Sequence, residues 1–405
     1  MTHDLNINAR ALAIKPSATL AVSARASALR AEGKQVLNFS AGEPDFRPPA
    51  AVTRRVVDRL ERERVAYAPV PGLPTLRDAA ANELSAYHGR TFGRDEILIS
   101  CGAKHSLANL FMVTLSPGDE VVIPTPYWVS YPAMVELGSG TPVFVEASAA
   151  RGFKLEPESL SAVLNERTRF VVLNSPSNPT GVGYTATEVR ALGEVICAKA
   201  PRAWIVCDDI YRKLVFGDYK HVSAFRALEG LTDRIVVVDG VSKSYAMTGY
   251  RIGILAAPRH VVKAAAAVQG QTTSGAATPS QWAALEAMTN AAAQEDVVTM
   301  RGAFTKRRAL MLEGLSQVPG VTTVPPDGAF YVFPNFGVYV GERFADDVEL
   351  ATWLLEEKLV ASVPGSAFGA PGHLRLSFAT SEADITEGLG RIREAIESLA
   401  AGSPR

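Results

Sequence analysis

Ile235-Val-Val-Val-Asp-Gly-Val-Ser-Lys-Ser-Tyr-Ala-Met-Thr-Gly-Tyr-Arg-Ile-Gly253 is the stretch that decides how the chain is read. Its β-branched start predicts a buried strand. A second apolar run, Ile252-Gly-Ile-Leu-Ala256, follows at once. Between the two sits Lys243, flanked by Ser242 and Ser244, with Arg251 eight residues on. Burial at the end of a core strand disfavours a lysine's charge, lowers its pKa and makes the amine a nucleophile able to form a Schiff base. The alternative is an ordinary surface-loop lysine, since lysines are seldom buried.

Working outward, short apolar runs recur at 96–100, 120–124, 141–146, 169–174, 203–208, 234–239 and 252–257, with helical stretches between several of them. This alternation predicts an α/β fold with a mostly parallel seven-stranded sheet covered by helices on both faces. In such sheets ligands bind beyond the carboxyl ends of the strands. Those ends carry Gly102-Ala-Lys104, Tyr127-Trp128, Asn174 with Asn178, Asp208 with Tyr211, and Ser242-Lys243. Polar and aromatic residues therefore converge on one edge of the sheet.

Each of these carries a specific chemistry beside a plainer structural reading. Gly102-Ala-Lys-His precedes an apolar helix expected over Ser106 to Leu115, and small residues at such a start leave backbone N–H groups free for a phosphate, or serve close packing. No Walker A or G-x-G-x-x-G pattern points to a nucleotide as the phosphate's owner. Trp128 could stack on a flat ligand, with Tyr127 as the alternative, or both could be core. Asn174-Ser-Pro-Ser-Asn-Pro-Thr-Gly181 is a rigid turn-rich loop. Adjacent strand residues face opposite sides, so Asp208 and Asp209 do not enter one site. Arg375, within the alternating run His373-Leu-Arg-Leu-Ser-Phe378, is an inward arginine that needs an anion, either a ligand or a nearby glutamate.

Two domains are expected of 405 residues. We place the large domain at 48–290 and the smaller α/β domain in 1–47 with 291–405. A long helix near 295–318 joins them, with apolar residues at 297, 300, 304, 311, 315 and 318 forming a packing stripe. Its basic cluster Lys306-Arg-Arg308, like the arginines of the predicted helix Val52 to Arg64, reads as a solvated face. A net charge of −1 gives no reason to expect nucleic acid or an anionic membrane. No run approaches a membrane span, and Met1-Thr-His-Asp does not begin like a signal peptide. Three cysteines without pairing spacings suit a reducing cytoplasm, and the six histidines show no metal spacing, so no metal is expected.

Several of these motifs match one family. Ser242-Lys243 through Gly253 (S-K-x-x-A-M-T-G-x-R-x-G), Ala41-Gly-Glu-Pro-Asp-Phe46, the N-x-P-x-N-P-T-G loop and the D-x-x-Y of Asp208 and Tyr211 resemble the class I aminotransferases, pyridoxal-phosphate enzymes of fold type I. Lys15-Pro-Ser-Ala-Thr19 and Pro126-Tyr-Trp-Val-Ser-Tyr131 are similar to the bacterial aspartate aminotransferase and prephenate aminotransferase branch. The resemblance implies that Lys243 is the catalytic residue and holds pyridoxal 5'-phosphate. It gives the phosphate to Gly102, Ala103, Lys104, Ser242 and Arg251, with Tyr67 reaching the phosphate of a partner subunit in a homodimer with shared sites. It assigns Trp128 to stacking, Asp208 to the pyridine nitrogen, and Asn178 and Tyr211 to the phenolic oxygen. For the substrate it implies Gly42, Lys15, Lys104, Trp128, Asn178 and Arg375, the last clamping the α-carboxylate. Ser17 and Thr19 are implied to close over the distal group with Lys15. Departures are Gly240, where better-known members have serine, and Tyr250 for the commoner tryptophan, which reads as packing. The expected activity is transamination between aspartate or glutamate and a 2-oxo acid, with use of prephenate linked to Lys15. An aromatic or broad-specificity aminotransferase, or another pyridoxal-phosphate reaction such as β-elimination, is the alternative. A regulator built on such a domain has no segment left for DNA binding.

Overall fold

A computed structural model describes residues 7, 8, 11, 12, 14, 16 and 18–400. Twelve strands run in the order β1 (Leu37–Asn38), β2 (Ile97–Ser100), β3 (Glu120–Thr125), β4 (Thr141–Glu146), β5 (Thr168–Asn174), β6 (Trp204–Asp208), β7 (Ile235–Gly240), β8 (Gly253–Ala256), β9 (Tyr331–Val332), β10 (Val360–Ala361), β11 (Val363–Pro364) and β12 (Leu374–Ser377). The seven apolar runs become β2 to β8, joined in one sheet of order β2-β8-β7-β6-β5-β3-β4. Every pairing in it is parallel except those of β8, which is antiparallel to both β2 and β7.

The period of two along these strands separates two cores. Ile97, Ile99, Val171, Leu173, Ile205, Ile235 and Val237 pack on one face, while Leu98, Phe170, Val172, Val206, Val236 and Val238 pack on the other. Burial on both faces explains why the runs are continuously apolar rather than alternating. The reversed strand has a positional consequence. It brings the start of β8 to the edge where its neighbours end, with Gly253 paired to both Ser100 and Gly240. Arg251, just before β8, thereby reaches the same edge as Gly102 and Lys243.

A further core forms around two small sheets, β1 with β10 and β11-β12-β9. The helix Ala291–Ser316 serves both regions. It gives Ala293 and Val297 to a core of the large sheet and Met300, Phe304, Met311 and Leu315 to the other. The apolar stripe read from the sequence is thus buried, including Val318 just beyond the helix. The preceding helix, Thr278–Thr289, ends because Asn290 is extended and its side chain accepts from the Ala292 amide at 2.9 Å to start the new helix.

One surface expectation is overturned. Lys306 is exposed, but Arg307 pairs with Asp45 at 2.7 Å and lies 5.0 Å from the Phe46 ring. Arg308 donates to the Pro326 carbonyl at 2.7 Å. Their long stems cover apolar surface while their heads find partners, so this cluster is an anchor between segments. Tyr250 packs partly buried against the large-sheet core, as expected. Among the described residues no helix is long and apolar enough to cross a membrane.

Candidate active site

The carboxyl edge of the large sheet meets β9 and β12 in a cleft. Gly42, Ala103, Lys104, Trp128, Asn174, Asn178, Asp208, Tyr211, Lys243 and Arg375, all singled out above, line it. Thr19 and Leu20 line it from the N-terminal helix Ala18–Ala31. Lys15 and Ser17 lie outside the described residues. Gly102, Ser242 and Arg251 are not among the lining residues, and Arg251 is exposed. Tyr67 is elsewhere on the surface, 95% exposed.

The helix Ala103–Thr114 starts three residues earlier than its apolar pattern suggested, directly after Gly102. No side chain caps it. The amides of His105 and Ser106 return to the Gly102 carbonyl, which leaves those of Ala103 and Lys104 for a ligand. Gly102 has φ +90°, and a Cβ there would lie 2.5 Å from Arg251 Nη2. The backbone conformation favours glycine here, and a side chain would also push the Arg251 guanidinium aside. Arg251 is itself left-handed at φ 54°, a strained conformation for a side-chain-bearing residue, and donates to the Thr248 carbonyl at 2.9 Å. An uncapped helix start beside an arginine is a site for a dianion such as phosphate.

At the centre of the cleft are an amine and a carboxylate. Lys243 Nζ donates to the Gly42 carbonyl at 2.5 Å. Burial, reinforced by the nearby Arg375, pulls its pKa down to about 8, which brings it near the range of a working base or nucleophile. Asp208 is buried, and burial pushes its carboxyl up to about 7. The Tyr131 hydroxyl donates to Asp208 Oδ2 at 2.6 Å, opposing that rise. No arginine, lysine or histidine forms an ion pair with Asp208 among the described residues, so beyond the hydrogen bonds from Tyr131 and the Ile210 amide its charge would gain most from a cation in the cleft. Asp209 faces the other side, towards His221 at 3.3 Å and His88 at 3.9 Å.

The far wall holds Arg375, 2% exposed. Its Nη1 donates to Asn178 Oδ1 at 3.1 Å and its Nη2 to the Ser40 carbonyl at 2.8 Å. Its Nε is buried without a partner. No carboxylate pairs with it among the described residues, so the reading of Arg375 as half of an internal ion pair fails. Asn178 is fixed in turn by its amide donating to Asn174 Oδ1 at 2.8 Å, and Asn174 Nδ2 donates to the Asp208 carbonyl at 2.9 Å. Trp128 lines the cleft with Lys104 Nζ 5.1 Å from its ring, whereas Tyr127 stacks on Phe144 outside it. Partial burial, with Arg251 adding to it, lowers the pKa of Lys104.

Two lining residues were missed from sequence: Tyr131, beneath Asp208, and Tyr331, whose hydroxyl is 3.1 Å from that of Tyr211. Tyr131 ends the Pro126–Tyr131 stretch, in which sequence reading assigns a site role only to Trp128 or Tyr127.

The description "Aminotransferase class I and II" matches residues 34–392. The chain is 42% identical over 386 residues to a probable aspartate/prephenate aminotransferase of Aquifex aeolicus, covering 95% of this chain and 97% of that one. It is 43% identical over 394 residues to an aspartate aminotransferase of Geobacillus stearothermophilus, covering 96% and 99%. Among solved structures, the Thermus thermophilus aspartate aminotransferase with maleate superposes with a TM-score of 0.91 at 39% identity, over 96% of this chain and 100% of that one. That of Rhizobium meliloti gives 0.92 at 40%, over 97% and 99%. With its fold, cleft and near full-length similarity in agreement, the chain belongs to the class I and II aminotransferases.

Proposed function

We propose that this aminotransferase uses pyridoxal 5'-phosphate to move an amino group between aspartate or glutamate and a 2-oxo acid, with prephenate as a further acceptor. The observation that carries the reading is Arg375: a buried guanidinium with no carboxylate paired to it among the described residues, across a cleft from the Lys243 amine. Two features fit the cofactor independently. The uncapped start of Ala103–Thr114, with Gly102 and Arg251, suits its phosphate. Asp208, buried without a cation, suits its ring nitrogen. Trp128 would stack on the ring, Tyr211 and Asn178 would face the phenolic oxygen, and Ser242 would support the phosphate turn. When bound, pyridoxal phosphate supplies the electron sink that lets the substrate Cα–H bond break.

The chain's own groups do the rest. Arg375 holds the α-carboxylate through its remaining N–H groups, which orients Cα toward Lys243. Lys243 Nζ takes the Cα proton and later returns it, a role suited to an amine whose pKa is lowered to about 8. Asp208, with Tyr131 behind it, holds the ring nitrogen protonated. Lys104, at the cleft rim with Thr19 and the N-terminal helix, receives the distal carboxylate. Similarity to proteins named aspartate and aspartate/prephenate aminotransferases supports the acidic substrate.

The same reading makes residues 48–290 the large cofactor-binding domain and 1–47 with 291–405 the smaller one, joined by Ala291–Ser316. That helix packs into the cores of both. It also makes the enzyme a cytoplasmic homodimer in which Tyr67, so exposed on one chain, reaches the partner's phosphate. The test is reduction of the cofactor-loaded protein with borohydride, followed by mass spectrometry, with a screen of amino-acid and oxo-acid pairs. Label on Lys243 and turnover with acidic pairs are expected. Label elsewhere, or products of β-elimination, overturns the reading.

A further inference from the structure

Tyr331 stands where two functions of the cleft meet. β9 pairs antiparallel with β12, with Tyr331 opposite Ser377. Residues two apart on a strand share a face, so Tyr331 and Arg375 are diagonal neighbours on the cleft side, within reach of long side chains. The contact is made: the Arg375 guanidinium carbon is 4.4 Å from the Tyr331 ring centroid, and 5.1 Å from that of Phe368. The Tyr331 hydroxyl is 3.1 Å from the Tyr211 hydroxyl. Gly42, whose carbonyl accepts from Lys243, lies close by: a Cβ there would be 3.7 Å from Tyr331 Oη.

A pair of neutral phenols shares one hydrogen bond, and only one of them donates it. If Tyr211 donates to Tyr331, its proton is lost to the cleft. If Tyr331 donates, Tyr211 keeps its own proton for an oxygen in the cleft. The cation over the Tyr331 ring favours Tyr331 as the donor, because a nearby positive charge makes a phenol more acidic. Tyr211 and Arg375 are the nearest ionisable groups to Tyr331, with Glu43 acting on it from farther off.

We propose that Tyr331 is a positioning residue that couples the two halves of the site: its ring holds the Arg375 guanidinium in plane, and its hydroxyl turns Tyr211 into a donor toward the cleft. This rests on the proposed function, in which Tyr211 faces the cofactor's phenolic oxygen and Arg375 the substrate carboxylate. The two roles separate by substitution. Tyr331→Phe keeps the ring and removes the hydroxyl. Tyr331→Leu removes both.

The experiment uses cofactor-loaded enzyme and two readouts other than turnover. One is the pH midpoint of the bound cofactor's visible absorbance. The other is the dissociation constant of succinate, a dicarboxylate that cannot be transaminated, read from the change it causes in that absorbance. A hydrogen bond donated to the phenolic oxygen favours its anionic form, so weakening it moves the midpoint upward. Neighbouring hydrogen bonds strengthen one another by some tenths of their worth, which sets the shift at roughly half a pH unit in Tyr331→Phe. Its succinate affinity should stay within about twofold of wild type, since the ring remains. Tyr331→Leu should show the same shift and bind succinate about 10- to 30-fold more weakly. An unshifted midpoint in Tyr331→Phe overturns the hydroxyl's role, and wild-type succinate affinity in Tyr331→Leu overturns the ring's. Wild-type enzyme with no visible chromophore would instead overturn the cofactor reading itself.

Discussion

Replacing Arg375 with methionine should separate catalysis from stability. Methionine keeps the apolar stem and removes the guanidinium. Arginine offers five N–H donors, of which the structure uses one toward Asn178 Oδ1 and one toward the Ser40 carbonyl. The rest, Nε among them, are left for a carboxylate. Two charge-assisted hydrogen bonds to a substrate carboxylate are worth about 1.5–3 kcal/mol each. Losing both should lower kcat/KM by roughly 10²- to 10⁴-fold, for every amino acid alike, because all of them carry the α-carboxylate.

Stability should move far less. The variant loses two hydrogen bonds from a charged donor, about 3–6 kcal/mol together, and the ring contacts with Tyr331 and Phe368. Against this stands the burial of a cation with no anionic partner, an effective penalty of several kcal/mol that the variant no longer bears. The terms nearly cancel, and the cofactor-free variant should unfold within about 2 kcal/mol of the parent. Steady-state kinetics with aspartate and alanine, beside urea unfolding of the cofactor-free proteins, checks both halves. A variant that loses about 4 kcal/mol or more of stability yet keeps near-normal kcat/KM would refute the argument, since that pattern marks a structural arginine.

Other outcomes follow from the same geometry. Lys104→Ala should cut kcat/KM for aspartate and glutamate by roughly one to two decades while sparing alanine, the worth of one charge-assisted contact; equal losses on acidic and neutral substrates would favour a broad or aromatic aminotransferase. Asp208 holds its proton up to about 7 when folded, so stability of the cofactor-free protein falls as pH rises from about 4 to 7, and the penalty is complete above that window. Asp208→Asn should therefore raise its melting temperature at about pH 8 and leave it unchanged near pH 4, while slowing turnover of the loaded enzyme far more than it weakens substrate binding; a variant changed in KM alone would move Asp208 off the ring nitrogen. Mixing Tyr67→Ala subunits with Lys243→Ala subunits, each nearly inactive alone, should restore one working site per hybrid dimer, and a fully active monomer would contradict shared sites.

The large sheet was legible because its signal is local. Each of β2 to β8 is a short apolar run between turn residues, and in all but the edge strand β4 burial on both faces keeps the run nearly uninterrupted. Strand order and the reversed direction of β8 depend on partners far along the chain, which no local pattern records. The two-residue strands β1, β9, β10 and β11 carry too little periodicity to be bounded from sequence. The early start of the helix at Ala103 was hidden for another reason. Its first turn, Ala-Lys-His, carries no apolar spacing, and two of its residues, Ala103 and Lys104, line the cleft. Arg307 and Arg308 show the same limit from the charge side: composition cannot tell a solvated cation from one whose partner, Asp45 or the Pro326 carbonyl, arrives from elsewhere.

In the site, legibility follows the chemistry of the side chain. Lysine, aspartate and arginine at strand ends stand out, because burying them needs a reason. Tyr131 and Tyr331 do not stand out. A tyrosine in an apolar stretch packs well in any case, and the partners that give these two a role lie 77 and 120 residues away. The pair Asp208-Asp209 joins the two cases. Alternation along the strand predicted that they part, and they do. Burial raises both carboxyls, yet Asp209 is held below its usual range by His221 and the Arg212 guanidinium, while Asp208, facing the cleft with a tyrosine hydroxyl, is left well above its own. Two neighbours of the same type in equally buried places differ by whether the protein brings a cation to them. Among the described residues none is brought into an ion pair with Asp208, so a ligand with a protonatable ring nitrogen would suit that position.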